Sequence, residues 1–161
     1  ADLFVRVRFR ETLGKSLGCA LDDFGMEGGL TKIGKVVANA RREAEKSPVA
    51  ALVFVGDAFE EDIDAVCHEA GELGLLGTPA LMFQEGDDPA ASQAFGQIAK
   101  LTNGAHCRFD PSSADTLRGL LRAAAAFAAG GHRALADARG KGADRLRRAL
   151  PPPRKGGPGR R

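Results

Sequence analysis

Between residues 49 and 109 the chain contains two short apolar runs, Val49–Val55 and Ala80–Phe83, and a short strand-like stretch, Ala105–Phe109, with helical periodicity in the stretches between them. Runs that are apolar at every position need cover on both faces, as strands of a parallel sheet do. Strand and helix patterns that alternate at this spacing predict an α/β fold: a parallel sheet wrapped by helices. The helical stretches carry their own punctuation. Ile33, Val36, Val37, Ala40 and Ala44 fall on one stripe of a helix over 31–46, with Thr31 at its start and Ser47-Pro48 at its end. Phe59, Ile63, Val66, Ala70 and Leu73 make the next stripe. Asp88-Pro89 then opens a helix, with Asp as cap and Pro at the first position. Phe95, Ile98 and Leu101 form its inner face, and Asn103-Gly104 stops it. Ser112 or Ser113 starts the last clear helix, which turns Leu117, Leu120, Leu121, Ala124 and Ala128 inward and ends at Gly130-Gly131.

Outside this block the pattern weakens. Residues 3–9, LFVRVRF, alternate and predict a strand with one wetter face. Residues 10–30 give no clear period, and GMEGG at 25–29 reads as a turn. Beyond 131, Gly140 and Gly142 interrupt a helical composition, each costing ~1 kcal/mol, and PPPRKGGPGRR has the make-up of a flexible tail. The expected division is an α/β domain over 1–131 and a basic, partly helical to disordered tail over 132–161.

Charge sharpens that division. The chain of 161 residues has a net charge of only +2, yet from residue 132 onward ten Lys/Arg stand against two Asp. The body is therefore acidic and the end basic. No apolar run approaches the ~20 residues of a membrane helix, and the N-terminus lacks the basic-then-apolar order of a leader. The three cysteines, Cys19, Cys67 and Cys107, match no zinc spacing and read as reduced thiols of a cytoplasmic protein.

Right-handed crossovers put the loops after the strands along one edge, where ligands bind in such sheets. Asp57, Gln84 to Asp88 and Phe109 to Ser113 fall on that rim, and Thr31 can reach it. Asp57 has two readings, a helix N-cap or, with Thr31, an oxygen ligand for a hard cation such as Mg²⁺. Glu60, Glu61 and Asp62 complement the dipole of the helix they precede. Other motifs are weaker. GKS at 14–16 lacks the first glycine of a phosphate loop. GELGLLG at 71–77 lies at a helix end rather than after a strand. Cys67 is expected to face the core, and alternation sends His106 and Cys107 to opposite faces. A small hydrolase using Asp57 and Cys107 is an alternative, although no general base is placed to activate the thiol. Arg145, Arg147 and Arg148 with the final basic cluster suggest contact with nucleic acid or an acidic partner, but no aromatic residue is interleaved for stacking.

GGLTKIGKVVANA (28–40), ALVFVGDAFEEDIDAVCHEAGELGLLGTPALMFQEG (51–86) and AFGQIAKLTNGAHCRFDPSSADTLRGLL (94–121) together resemble a bacterial von Willebrand factor A-like family over roughly residues 28–131. The resemblance implies a Rossmann-like doubly wound, mostly parallel sheet with helices on both faces. It also implies a protein-interaction module rather than an enzyme. The hallmark of the family is a metal-ion-dependent adhesion site. There, an Asp-x-Ser-x-Ser loop after the first strand, a Thr on a second loop and an Asp on a third hold a cation that receives a carboxylate from a protein partner. Thr31 matches that Thr and Asp57 matches that last Asp. The Asp-x-Ser-x-Ser loop has no counterpart in the sequence, and residues 2–10 look like the family's second strand. The first strand is then missing, and Mg²⁺ binding is expected to be weak or absent.

Overall fold

The computed structural model describes residues 32–153 in full and the backbone of 2–10, 18–20 and 24–27. The elements run β1 (Asp2–Arg10), β2 (Gly18–Ala20), β3 (Phe24–Glu27), α1 (Ile33–Lys46), β4 (Val49–Gly56), α2 (Ile63–Leu75), β5 (Ala80–Glu85), α3 (Pro89–Leu101), β6 (Ala105–Phe109), α4 (Ala114–Asp137) and α5 (Lys141–Ala149). The fold is α/β, built on one six-stranded sheet.

The sheet has two halves. β4, β5 and β6 are parallel neighbours in chain order, with Leu52 beside Ala80 and Leu81 beside Ala105. On the other side of β4 lies β1, running antiparallel, with Leu3 opposite Val55 and Arg8 opposite Val49. β3 pairs with the first half of β1 and β2 with the second, both antiparallel. The expected parallel order therefore holds only for the half backed by βα units. The position where a missing first strand would leave a gap is occupied: β1 pairs directly with β4. An open edge in mid-sheet would strand a row of buried N–H and C=O groups, and β1 takes them up in the reverse direction. Of the turn expected at 25–29, residues 25–27 belong instead to the strand Phe24–Glu27, and 28 and 29 lie outside the described residues. Its four residues, one of them glycine, show no clear period, and its pairing with β1 supplies what local preference does not.

Alternation along β4 and β5 divides the core. Leu52, Phe54, Ala80 and Met82 face α1, α2 and α3, which bury Ile33, Val37, Ala40, Val66, Leu73, Phe95 and Ile98 against them. Ala51, Val53, Val55, Leu81 and Phe83 face the other way, with Cys107 and Phe109 of β6, onto α4 and α5. Helices thus cover both faces, as the apolar runs require. One inner-face assignment fails: Leu101 is 44% exposed at the end of α3.

The expected boundary at residue 131 is a kink, not an end. Gly130 and Gly131 leave helical geometry (Gly131 at φ 66°), and helical structure resumes through Asp137. Leu135, Ala143, Leu146 and Leu150 then join the same buried cluster as the sheet. Residues 132–150 complete one face of the core. The glycine that counted against helix here is what seats it: a Cβ on Gly142 would stand 2.2 Å from the Gly119 carbonyl carbon, so its absence lets α5 cross α4 in contact. Arg147 Nη1 donates to the carbonyls of Leu135 (2.7 Å) and Ala138 (2.8 Å) and holds the connection. Among the described residues no helix is long and apolar enough to cross a membrane.

Candidate functional site

The parallel strands end together at Gly56, Glu85 and Phe109, and the loops that follow form one lip. The antiparallel course of β1 brings its first residues to the same end, with Leu3 opposite Val55. Asp57 stands there exposed, directly after a strand buried on both faces. Asp87 follows β5 and Asp110 follows β6, both exposed.

Asp57 caps no helix. α2 begins six residues later, and Asp62 is its N-cap, accepting from the Asp64 amide at 3.0 Å. Nor do the acids after Asp57 all serve the helix they precede. Glu61 reaches back to α1: its carboxylate accepts from the amides of Ile33 (2.6 Å) and Gly34 (3.0 Å). α1 has Lys32 at its N-cap and no side-chain cap of its own, so Glu61 satisfies two orphan donors and meets the positive end of the helix dipole. That bond spans 28 positions, and no local pattern announces it. It fixes the first turn of α1 to the loop that carries Asp57. Thr31 itself lies outside the described residues, as do GKS at 14–16 and the final basic cluster at 154–161.

Gln84 was expected on the rim, but its side chain is fully buried beneath it. Its Nε2 donates to the Asp88 carbonyl (3.1 Å), while its Oε1 accepts from Ser92 Oγ (3.0 Å) and meets His106 Nε2 at 2.8 Å. The sequence holds a signal for this. Gln84 follows Ala80 and Met82 at the strand period, which puts an amide on a helix-covered face where it needs partners. Asp88 does cap α3, accepting from the Ala91 amide at 2.9 Å, with Pro89 next as expected. Asp110 is held below its usual range by the amide and hydroxyl of Ser112.

The pair invoked for hydrolysis is not brought together. Cys107 lies in the apolar cluster under α4, and burial pushes its thiol up to about 11, the reverse of an activated nucleophile. β5 separates its strand from that of Asp57, and His106 points to the opposite face, against Phe95. Cys67 is half-exposed between α2 and α3, its Sγ donating to Gln97 Oε1 at 3.1 Å. Of the three arginines proposed for nucleic acid, Arg147 is occupied inside the fold, and Arg145 donates to the Arg108 carbonyl at 3.2 Å. Among the described residues no group of three or more His, Cys, Asp or Glu side chains is arranged to hold a metal ion. Of the two positions that the family resemblance offers to Mg²⁺, Asp57 alone lies among the described residues, and no such group surrounds it there.

No family model, no curated protein and no solved structure matches this chain.

Proposed function

We infer that this chain is a protein-interaction module that presents the acidic lip after β4, β5 and β6 to a basic surface of a partner protein. The observation that carries this reading is the state of Asp57. It is exposed at the end of a fully covered strand, caps nothing, and has no ion pair among the described residues. Glu60, Asp87 and Asp110 are exposed around it, and none of them has a cationic partner among those residues. Unpaired carboxylates on a rigid rim raise the local potential and steer a positive partner. The resemblance to the von Willebrand A-like family, through Thr31 and Asp57, supports the same lip as a contact surface. Mg²⁺ has no part in this reading.

The test is chemical. A carbodiimide joins carboxylates to the lysines of a bound protein. Applied to complexes isolated on the tagged full chain, it should cross-link through Asp57, Glu60 and Asp87. Asp57→Lys with Asp87→Lys should abolish capture and leave the melting temperature unchanged. A partner that cross-links elsewhere, or that survives the double charge reversal, overturns the reading.

A further inference from the structure

On the outer flank of β6, away from the lip, a cavity of about 380 Å³ opens between α3, its turn into β6, and the end of α5. Small-molecule sites run ~300–1,000 Å³. Ala99, Leu150 and Pro151 supply its apolar wall; Lys100, Asn103 and His106 supply its polar groups.

The chemistry of His106 follows from its neighbours. The Asp88 carbonyl can only accept, so Gln84 must turn its amide nitrogen there, which leaves Oε1 to face Ser92 and His106. Oε1 also only accepts. His106 Nε2 therefore carries the hydrogen, and in the neutral ring Nδ1 is a bare lone pair. Half-burial, with Arg108 nearby, favours that neutral ring. Nδ1 looks toward Gly96: a methyl placed there would stand 3.8 Å from it. Among the described residues no donor reaches Nδ1. The backbone adds to this. The Arg108 carbonyl points off the sheet edge, where Arg145 takes it. By strand alternation the N–H and C=O of His106 point off the same edge.

A ligand here needs a hydrogen-bond donor for Nδ1, a negative group for the Lys100 ammonium, and an apolar body for Leu150 and Pro151. We propose that the β6-flank cavity binds a small hydroxylated organic anion, its hydroxyl donating to His106 Nδ1 and its carboxylate paired with Lys100. The Gln84–Ser92 pair acts through His106 and positions the ring. The site is independent of the lip.

Mandelate carries all three features; phenylacetate lacks only the hydroxyl. Titrated into the ¹⁵N-labelled full chain, mandelate should give saturable amide shifts at Gly96, Asn103 and His106. Phenylacetate should bind at least tenfold more weakly. The imidazole nitrogen spectrum of the free protein should show hydrogen on Nε2 of His106 and none on Nδ1. Gly96→Leu should abolish binding, and Gly96→Ala, whose methyl fits without a clash, should weaken it severalfold in a folded protein. The proposal is overturned if mandelate gives no saturable shift, if phenylacetate binds equally well, if Nδ1 carries the hydrogen, or if both Gly96 variants bind mandelate like the parent.

Discussion

The lip after the strands and the outer flank of β6 lie on one sheet but treat polar groups in opposite ways. At the lip, Asp57, Glu60 and Asp87 face solvent with no hydrogen bond or ion pair to hold them among the described residues, so removing one should cost the fold almost nothing. On the flank, Gln84 is buried without exposure and each of its polar atoms is spoken for, so removing it should cost a great deal. The contrast separates what the scaffold needs from what it leaves free. A carboxylate that the fold does not use is open to a partner. A buried amide that orients a histidine toward a cavity is part of a prepared site.

The largest expected effect lies where backbone approaches backbone. A Cβ on Gly104 would stand 1.9 Å from the Ala80 carbonyl oxygen, a contact that no side-chain adjustment relieves. Gly104→Ala should lose about 3 kcal/mol in urea unfolding. A loss under ~1 kcal/mol would mean that the β5–β6 junction under the flank is looser than described. Gln84→Leu comes next. It keeps the volume but leaves the His106 N–H and the Ser92 hydroxyl without their partner, while the Asp88 carbonyl keeps the Ser92 amide, which should cost about 2 kcal/mol. A neutral outcome would erase the distinction between flank and lip.

Legibility from sequence follows a related line. β4, β5, β6 and their helices could be read because each is marked in its own residues, by a short apolar or strand-like run or by stripes at period 3.6. The Asp88-Pro89 helix start was equally plain. β2 and β3 could not be read, since three or four residues with glycine carry no period, and their register depends on β1. Residues 132–150 were misjudged because Gly142 was weighed for helix propensity, whereas its missing side chain admits a close helix crossing. At the lip, the sequence singled out Asp57 correctly as a strand-end carboxylate. It could not tell that the cap of α1 is Glu61, because the two are distant in sequence.

A smaller effect tests the flank by pH. The unfolded chain protonates His106 near pH 6.5, whereas burial holds the folded group lower. Between those two values the unfolded state binds more protons. The stability tied to the neutral ring is therefore complete above pH ~6.5 and declines as the pH falls toward the folded value. Urea midpoints from pH 7 to 5 should drop in the parent and drop less in His106→Phe; equal slopes would show that the ring is not held neutral.

The central claim is that two carboxylates four residues apart do different work, Glu61 for the fold and Asp57 for a partner. Urea unfolding of Glu61→Ala beside Asp57→Ala tests it most directly. Glu61→Ala should lose about 1–2 kcal/mol, as a helix cap does, and Asp57→Ala should stay within ~0.5 kcal/mol of the parent. If Asp57→Ala loses as much as Glu61→Ala, Asp57 belongs to the scaffold and the lip is not a free contact surface.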